Sequence, residues 1–98
     1  MATTVGVATI GLRLEGSTSL KDKRHVVRSL ADRVRNRFNA AIAETEDLDD
    51  LSYATLTVAV VSNSAPHCDQ MLATITDFID RHVELGVLDT RTTELIPV

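Results

Sequence analysis

Aromatic side chains are nearly missing from this chain: Phe38, Tyr53 and Phe78 are the only three, and there is no tryptophan. A core must therefore be filled by Val, Ile, Leu and Ala, and a surface that reads unpaired bases by stacking them on a row of rings is excluded as the main mode of binding. A single cysteine, Cys68, rules out an intrachain disulfide and points to a reducing compartment. Four glycines and two prolines leave no Gly-rich phosphate loop and no GxxG clamp. No apolar run approaches a membrane span, and Arg13 and Glu15 follow the apolar start too closely for a signal peptide. The expectation is a cytoplasmic protein with no membrane partner.

What is present is ordinary globular composition with an uneven distribution of charge. Ninety-eight residues fit one domain, residues 1–98, able to bury roughly two thirds of its unfolded surface. The segment from Leu20 to Phe38 reads LKDKRHVVRSLADRVRNRF. It holds seven of the ten Lys and Arg residues against two Asp, a net +5 within a chain of −4, so the remainder stands at −9. Such segregation is the electrostatic footprint of a protein that meets a polyanion.

The pattern of apolar residues divides the chain into six elements. Ala8, Ile10, Leu12 and Leu14 alternate with Thr9, Gly11, Arg13 and Glu15, the period of a half-buried strand. Ser19 is an N-cap with Asp22 three residues on, and Val27, Leu30, Val34 and Phe38 follow at helical spacing through the basic segment. Asn39 ends that helix, Ala40 and Ile42 begin a short strand, and Glu46 to Ser52 is an acidic turn. Tyr53 to Val61 alternates most clearly. Ser64 caps a second helix with Pro66 in its first turn and Cys68, Met71, Leu72, Ile75, Phe78, Ile79 and Val83 on one stripe; Gly86 is the expected stop. A last strand is expected over about Val87 to Ile96.

This order, β-α-β-β-α-β, predicts an α+β ferredoxin-like fold: a four-stranded antiparallel sheet with two helices on one face. The other face would carry small, semi-apolar side chains, among them Thr55, Thr57, Ala59 and Val61, which are candidates for an oligomer interface, most simply in a homodimer.

The strings Ser19-Leu20-Lys21-Asp22-Lys23-Arg24, Arg35-Asn36-Arg37-Phe38-Asn39, Ala43-Glu44 and Val61-Ser62-Asn63 together resemble the YlxP-like proteins, small bacterial proteins that form a domain of unknown function. The resemblance spans nearly the whole chain. It implies a ferredoxin-like fold and, from the translation-related neighbourhood of the family's genes, an RNA- or ribosome-associated role.

At 100° per residue Lys21, Arg24, Arg28 and Arg35 fall within a stripe about 60° wide on one flank of the apolar face, with Arg33 and Arg37 on the opposite flank. With Lys23, these four are the candidate nucleic-acid-binding residues. Arg suits the task because its planar fork holds a phosphate bidentately and stays charged. The competing reading is a solvated helix face in which Arg28 and Asp32 form an i,i+4 pair.

Catalytic constellations are weaker. His67 and Cys68 are adjacent and diverge on a helix, and Cys68 belongs to the apolar stripe. His82 lies about 22 Å along the same helix from His67 and does not share a metal with it. The acidic run Glu44, Glu46, Asp47, Asp49, Asp50 lacks the glycine and distal glutamate of a calcium loop. Glu44 instead shares a strand face with Ala40 and Ile42 and is expected at the core rim, paired with a residue of the basic helix. No catalytic residue, metal or cofactor is assigned. The sequence favours a nonenzymatic RNA-binding or ribosome-associated accessory protein, with a homo-oligomeric interaction module built on the open sheet face as the alternative.

Overall fold

A computed structural model describes residues 3–98. The elements are β1 (Thr4–Leu14), α1 (Leu20–Arg37), β2 (Ala41–Glu46), β3 (Tyr53–Ser62), α2 (Ala65–His82) and β4 (Gly86–Pro97). They build one sheet in the order β2-β3-β1-β4, each neighbouring pair antiparallel. This is the ferredoxin-like arrangement the pattern predicts.

Strand alternation decides which face meets the helices. On β1 and β3 the buried positions Ala8, Ile10, Leu12, Ala54, Leu56, Val58 and Val60 stack against Leu30 and Val34 of α1 and Leu72, Ile75 and Ile79 of α2. Ile42 of β2 joins them, whereas β4 contributes no fully buried side chain and only Leu88 packs at the margin. Along β4 from Asp89 onward every residue is exposed. The core is therefore three strands wide and β4 is a flange hydrogen-bonded to β1.

The helix starts are those expected. Ser19 has extended backbone and its hydroxyl accepts from the Asp22 N–H at 3.1 Å; Ser64 does the same for His67 at 3.3 Å. The second helix ends differently. It stops at His82, with the Val83 N–H donating to Ile79 O, and the left-handed residue of the connection is Leu85 at φ 62°, not Gly86. Gly86 already pairs with Leu14 in β4, where a Cβ would collide with the Arg13 carbonyl oxygen. Close strand approach, not helix termination, calls for glycine there.

Candidate nucleic-acid interface

Helix α1 buries Lys23, Val26, Val27, Leu30, Ala31 and Val34 and turns most of its remaining circumference to solvent. Lys21, Arg24 and Arg28 are exposed, and among the described residues none of them is in an ion pair. Arg24 and Arg28 stand over a groove of about 390 Å3 between α1 and β2, floored by Val27, Ala31 and Ala43. His25 lies on the solvent crest beside them.

Lys23 corrects the sequence reading. It has no exposed surface: its ammonium donates to the carbonyl oxygens of Asp47 and of Asp50, the latter at 2.7 Å, and stands 2.9 Å from Glu44 Oε2. The two opposite charges form a buried ion pair at the rim of the core. Lys23 cannot reach a phosphate; it anchors the β2–β3 turn to the start of α1. Glu44 is the rim partner of a basic-helix residue that its strand position predicts.

Arg35 is also partly engaged. One guanidinium nitrogen donates to Asp32 Oδ1 at 3.0 Å and the other to Ile42 O at 2.9 Å, so Asp32 pairs with Arg35 rather than with Arg28. The second bond occupies a carbonyl of edge strand β2, one of the ways an edge is shielded from further pairing. Arg28 is thereby left without a carboxylate partner, and the open cationic row is Lys21, Arg24 and Arg28.

A second cationic groove, of about 410 Å3, lies on the opposite flank, lined by Arg33, Asn36, Arg37, Phe78 and His82. Its floor is aromatic. The Arg37 guanidinium sits 5.4 Å from the Phe78 centroid, the His82 ring stacks on Phe78 at 4.1 Å, and Phe38 meets Phe78 edge-on at 5.4 Å. His82 Nδ1 is 2.8 Å from Phe78 O, which leaves Nε2 as the ring's other nitrogen. The sequence reading separated Arg33 and Arg37 from the main stripe; that Phe78 and His82 of α2 complete a groove with them depends on helix packing that periodicity does not give.

The open sheet face is less available than its sequence implies. Thr55 is only 5% exposed and its hydroxyl donates to Asp47 Oδ2 at 2.6 Å, which removes it from any interface. Thr57 is tied to Thr45 at 2.7 Å, and Ala59 is half-buried. Val61 remains, 63% exposed, in register with Val5, which is in turn opposite Ile96. Tyr53 is no free stacking ring: its hydroxyl donates to Asp89 Oδ2 at 2.8 Å, Arg13 holds the other oxygen, and the ring lies over Gly11. Cys68 is fully buried, its sulfur 3.9 Å from the carbonyl oxygens of Thr4 and Val60.

Two carboxylates around the helix start and the acidic turn are held in their charged form. The Thr18 hydroxyl, 2.6 Å away, draws Asp22 below its ordinary value of 3.8, and the Ser52 backbone N–H, followed by its hydroxyl, does so for Asp50. Among the described residues no group of three metal-ligating side chains forms, and no helix is long and apolar enough to cross a membrane.

Fold and surface together define a small ferredoxin-like α+β domain with a cationic first helix. Residues 5–92 match the family model described as "Protein of unknown function (DUF503)", and the chain belongs to that family. It is 32% identical over 88 residues to the uncharacterized protein YlxP of Bacillus subtilis (strain 168), covering 90% of this chain and 96% of that one. Among solved structures, a de novo designed protein with a ferredoxin fold superposes with a TM-score of 0.57 at 19% identity, over 93% of this chain and 84% of the design. A dimeric ferredoxin-like protein of unknown function from Thermobifida fusca gives 0.45 at 14% identity, over 96% and 92%.

Proposed function

We propose that this protein is a nonenzymatic RNA-binding or ribosome-associated accessory protein that docks α1 on a phosphate backbone. One observation carries the reading: Lys21, Arg24 and Arg28 stand exposed and without acidic partners on a helix of net positive charge, beside a groove, in a chain whose remaining surface is acidic. A polyanion is attracted to that helix and repelled elsewhere, so the charge distribution orients the encounter before contact. Binding rests on backbone charge and shape, with little readout of base identity.

Three phosphate contacts give a slope of log affinity against log salt of roughly −2 to −3. Arg24→Gln with Arg28→Gln is expected to remove about two thirds of that slope and to weaken different RNA sequences alike. Fluorescence anisotropy over a salt series measures both. An unchanged slope in the folded double variant overturns the reading.

A second reading, self-association through the open sheet face, draws support from an apolar row in which the exposed Val61 and Ile96 flank the half-buried Val5. Its footprint is smaller than the run from Thr55 to Val61.

A further inference from the structure

The helix layer presents two cationic rows, not one, on the two flanks of α1, and they meet at a shallow depression on its crest that Arg28 and Arg33 line together with His25 and Asp32. Arg24 and Arg28 border the groove toward β2, with Lys21 beside them toward the helix start; Arg33 and Arg37 border the groove toward α2. Along the axis Lys21 and Arg37 are separated by about 24 Å, and across it the helix with its side chains is about 10–12 Å wide. A strand following the first row runs along the β2 side and leaves the Arg33 and Arg37 groove empty. A ligand with two phosphate rows fills both.

Two further observations bear on its chemistry. First, no Phe or Tyr ring is free to stack on an unpaired base: Phe38 and Phe78 pack on each other beneath Arg37 and His82, and Tyr53 is bound to Asp89 across the sheet, which leaves the exposed imidazoles of His25 and His67 as the small stacking surface. So small a stacking surface favours a ligand whose bases are already paired and stacked, as they are in a duplex. Second, α1 does not project. It lies beside α2 on one face of the sheet, joined by the Phe38–Phe78 contact, in a molecule only 17 Å through its thinnest axis. A helix so flanked does not descend into a B-form major groove about 8.5 Å deep. The wide, shallow minor groove of an A-form duplex demands no such depth.

We infer that the ligand of α1 is double-stranded RNA, straddled across its minor groove, with one phosphate strand along Lys21, Arg24 and Arg28 and the other in the groove of Arg33 and Arg37. This rests on the phosphate-binding reading above and specifies its substrate class. The exposed acids Asp69, Asp77 and Asp80 on α2 set the limit of the footprint, since a duplex extending past the α1–α2 seam meets negative charge. Asp32 on the crest is offset by its pair with Arg35.

The experiment compares three probes of matched sequence: an RNA duplex of about 16 base pairs, the corresponding DNA duplex and a single RNA strand, each titrated over a salt series. The unmodified protein is expected to bind duplex RNA tightest, with a slope near −4.5 for five contacts against roughly −2 for the single strand. Arg33→Gln with Arg37→Gln is expected to flatten the duplex slope by nearly two units while leaving the single strand unchanged. Because Arg37 covers Phe78, Arg33→Gln alone is measured as well; among the described residues the exposed Arg33 side chain is in no ion pair, and its loss is expected to flatten the duplex slope by about one unit with the fold intact. Equal losses on duplex and single strand, no loss on either, or DNA duplex binding as tight as RNA overturns the straddling geometry while the phosphate reading stands. Salt-insensitive binding, or none, to all three probes overturns both.

Discussion

The Lys23 ammonium has left water, and its surroundings repay the desolvation with two carbonyl oxygens and one carboxylate. From sequence it is indistinguishable from its neighbours Lys21 and Arg24. The residue sits on the sheet-facing side of α1 near Val26, Val27 and Leu30, so the helical angle already places it inward, but only the turn carbonyls that receive it explain why a charge is tolerated there. Removing one member of a buried pair strands the other, at a cost of about 3–5 kcal/mol. Lys23→Ala is expected to lose stability in that range by urea unfolding, while Lys21→Ala, which removes an exposed side chain, stays within about 0.5 kcal/mol. Equal unfolding midpoints for the two variants would contradict the buried placement.

At the scale of elements, the helix starts were legible because caps act locally: Ser19 and Ser64 bond to N–H groups three residues away, and no distant contact is needed to specify them. Ser19→Ala is expected to cost about 1 kcal/mol by thermal unfolding. The same turn carries a pH dependence. Asp22 has a folded value drawn below 3.8, so the folded state binds its proton more weakly than the unfolded chain does. The stabilisation is complete above 3.8 and is lost as the pH falls through the lower folded value. Thr18→Val, which removes the hydroxyl that holds the carboxylate, is expected to be less stable than the unmodified protein at neutral pH, with the gap narrowing as the pH is taken below 3.8. A gap that does not change with pH would assign the loss to the threonine itself. The end of α2 was misjudged for the opposite reason, since the requirement for Gly86 comes from Arg13 on a strand far away in sequence.

Across the whole molecule, alternation and helical spacing were enough to order six elements, because one buried face per element is the condition for any two-layer domain. The candidate surface was only half legible. Angular position identified the row of Lys21, Arg24 and Arg28, but not that Arg35 turns back to Ile42 or that α2 closes a second groove around Phe78, both of which depend on how elements pack. The open sheet face shows the same division: alternation puts Thr55 outside, and the Asp47 side chain of the preceding β2–β3 turn then covers it. If copies of the chain assemble on that face, the contact centres on Val61, so Val61→Lys is expected to shift a concentration-dependent sedimentation coefficient to that of a monomer, and Thr55→Ser to leave it unchanged. A coefficient independent of concentration in the unmodified chain removes the sheet face as an interface.

Strand β4 lies at the margin of the core, held by its ladder to β1, by the bonds of Arg13 and Tyr53 to Asp89, by the exposed Arg91–Asp77 pair and by the Val98 N–H donating to Thr3 O. Its detachment exposes almost no apolar interior and leaves the remaining five elements their shared core, so the free energy of opening β4 is set apart from that of global unfolding. The molecule thus has a hinged margin. Amide protons along β4 exchange through that partial opening, and β1, an interior strand in the closed form, becomes for that interval a sheet edge with its Thr4–Leu14 backbone unpaired on one side.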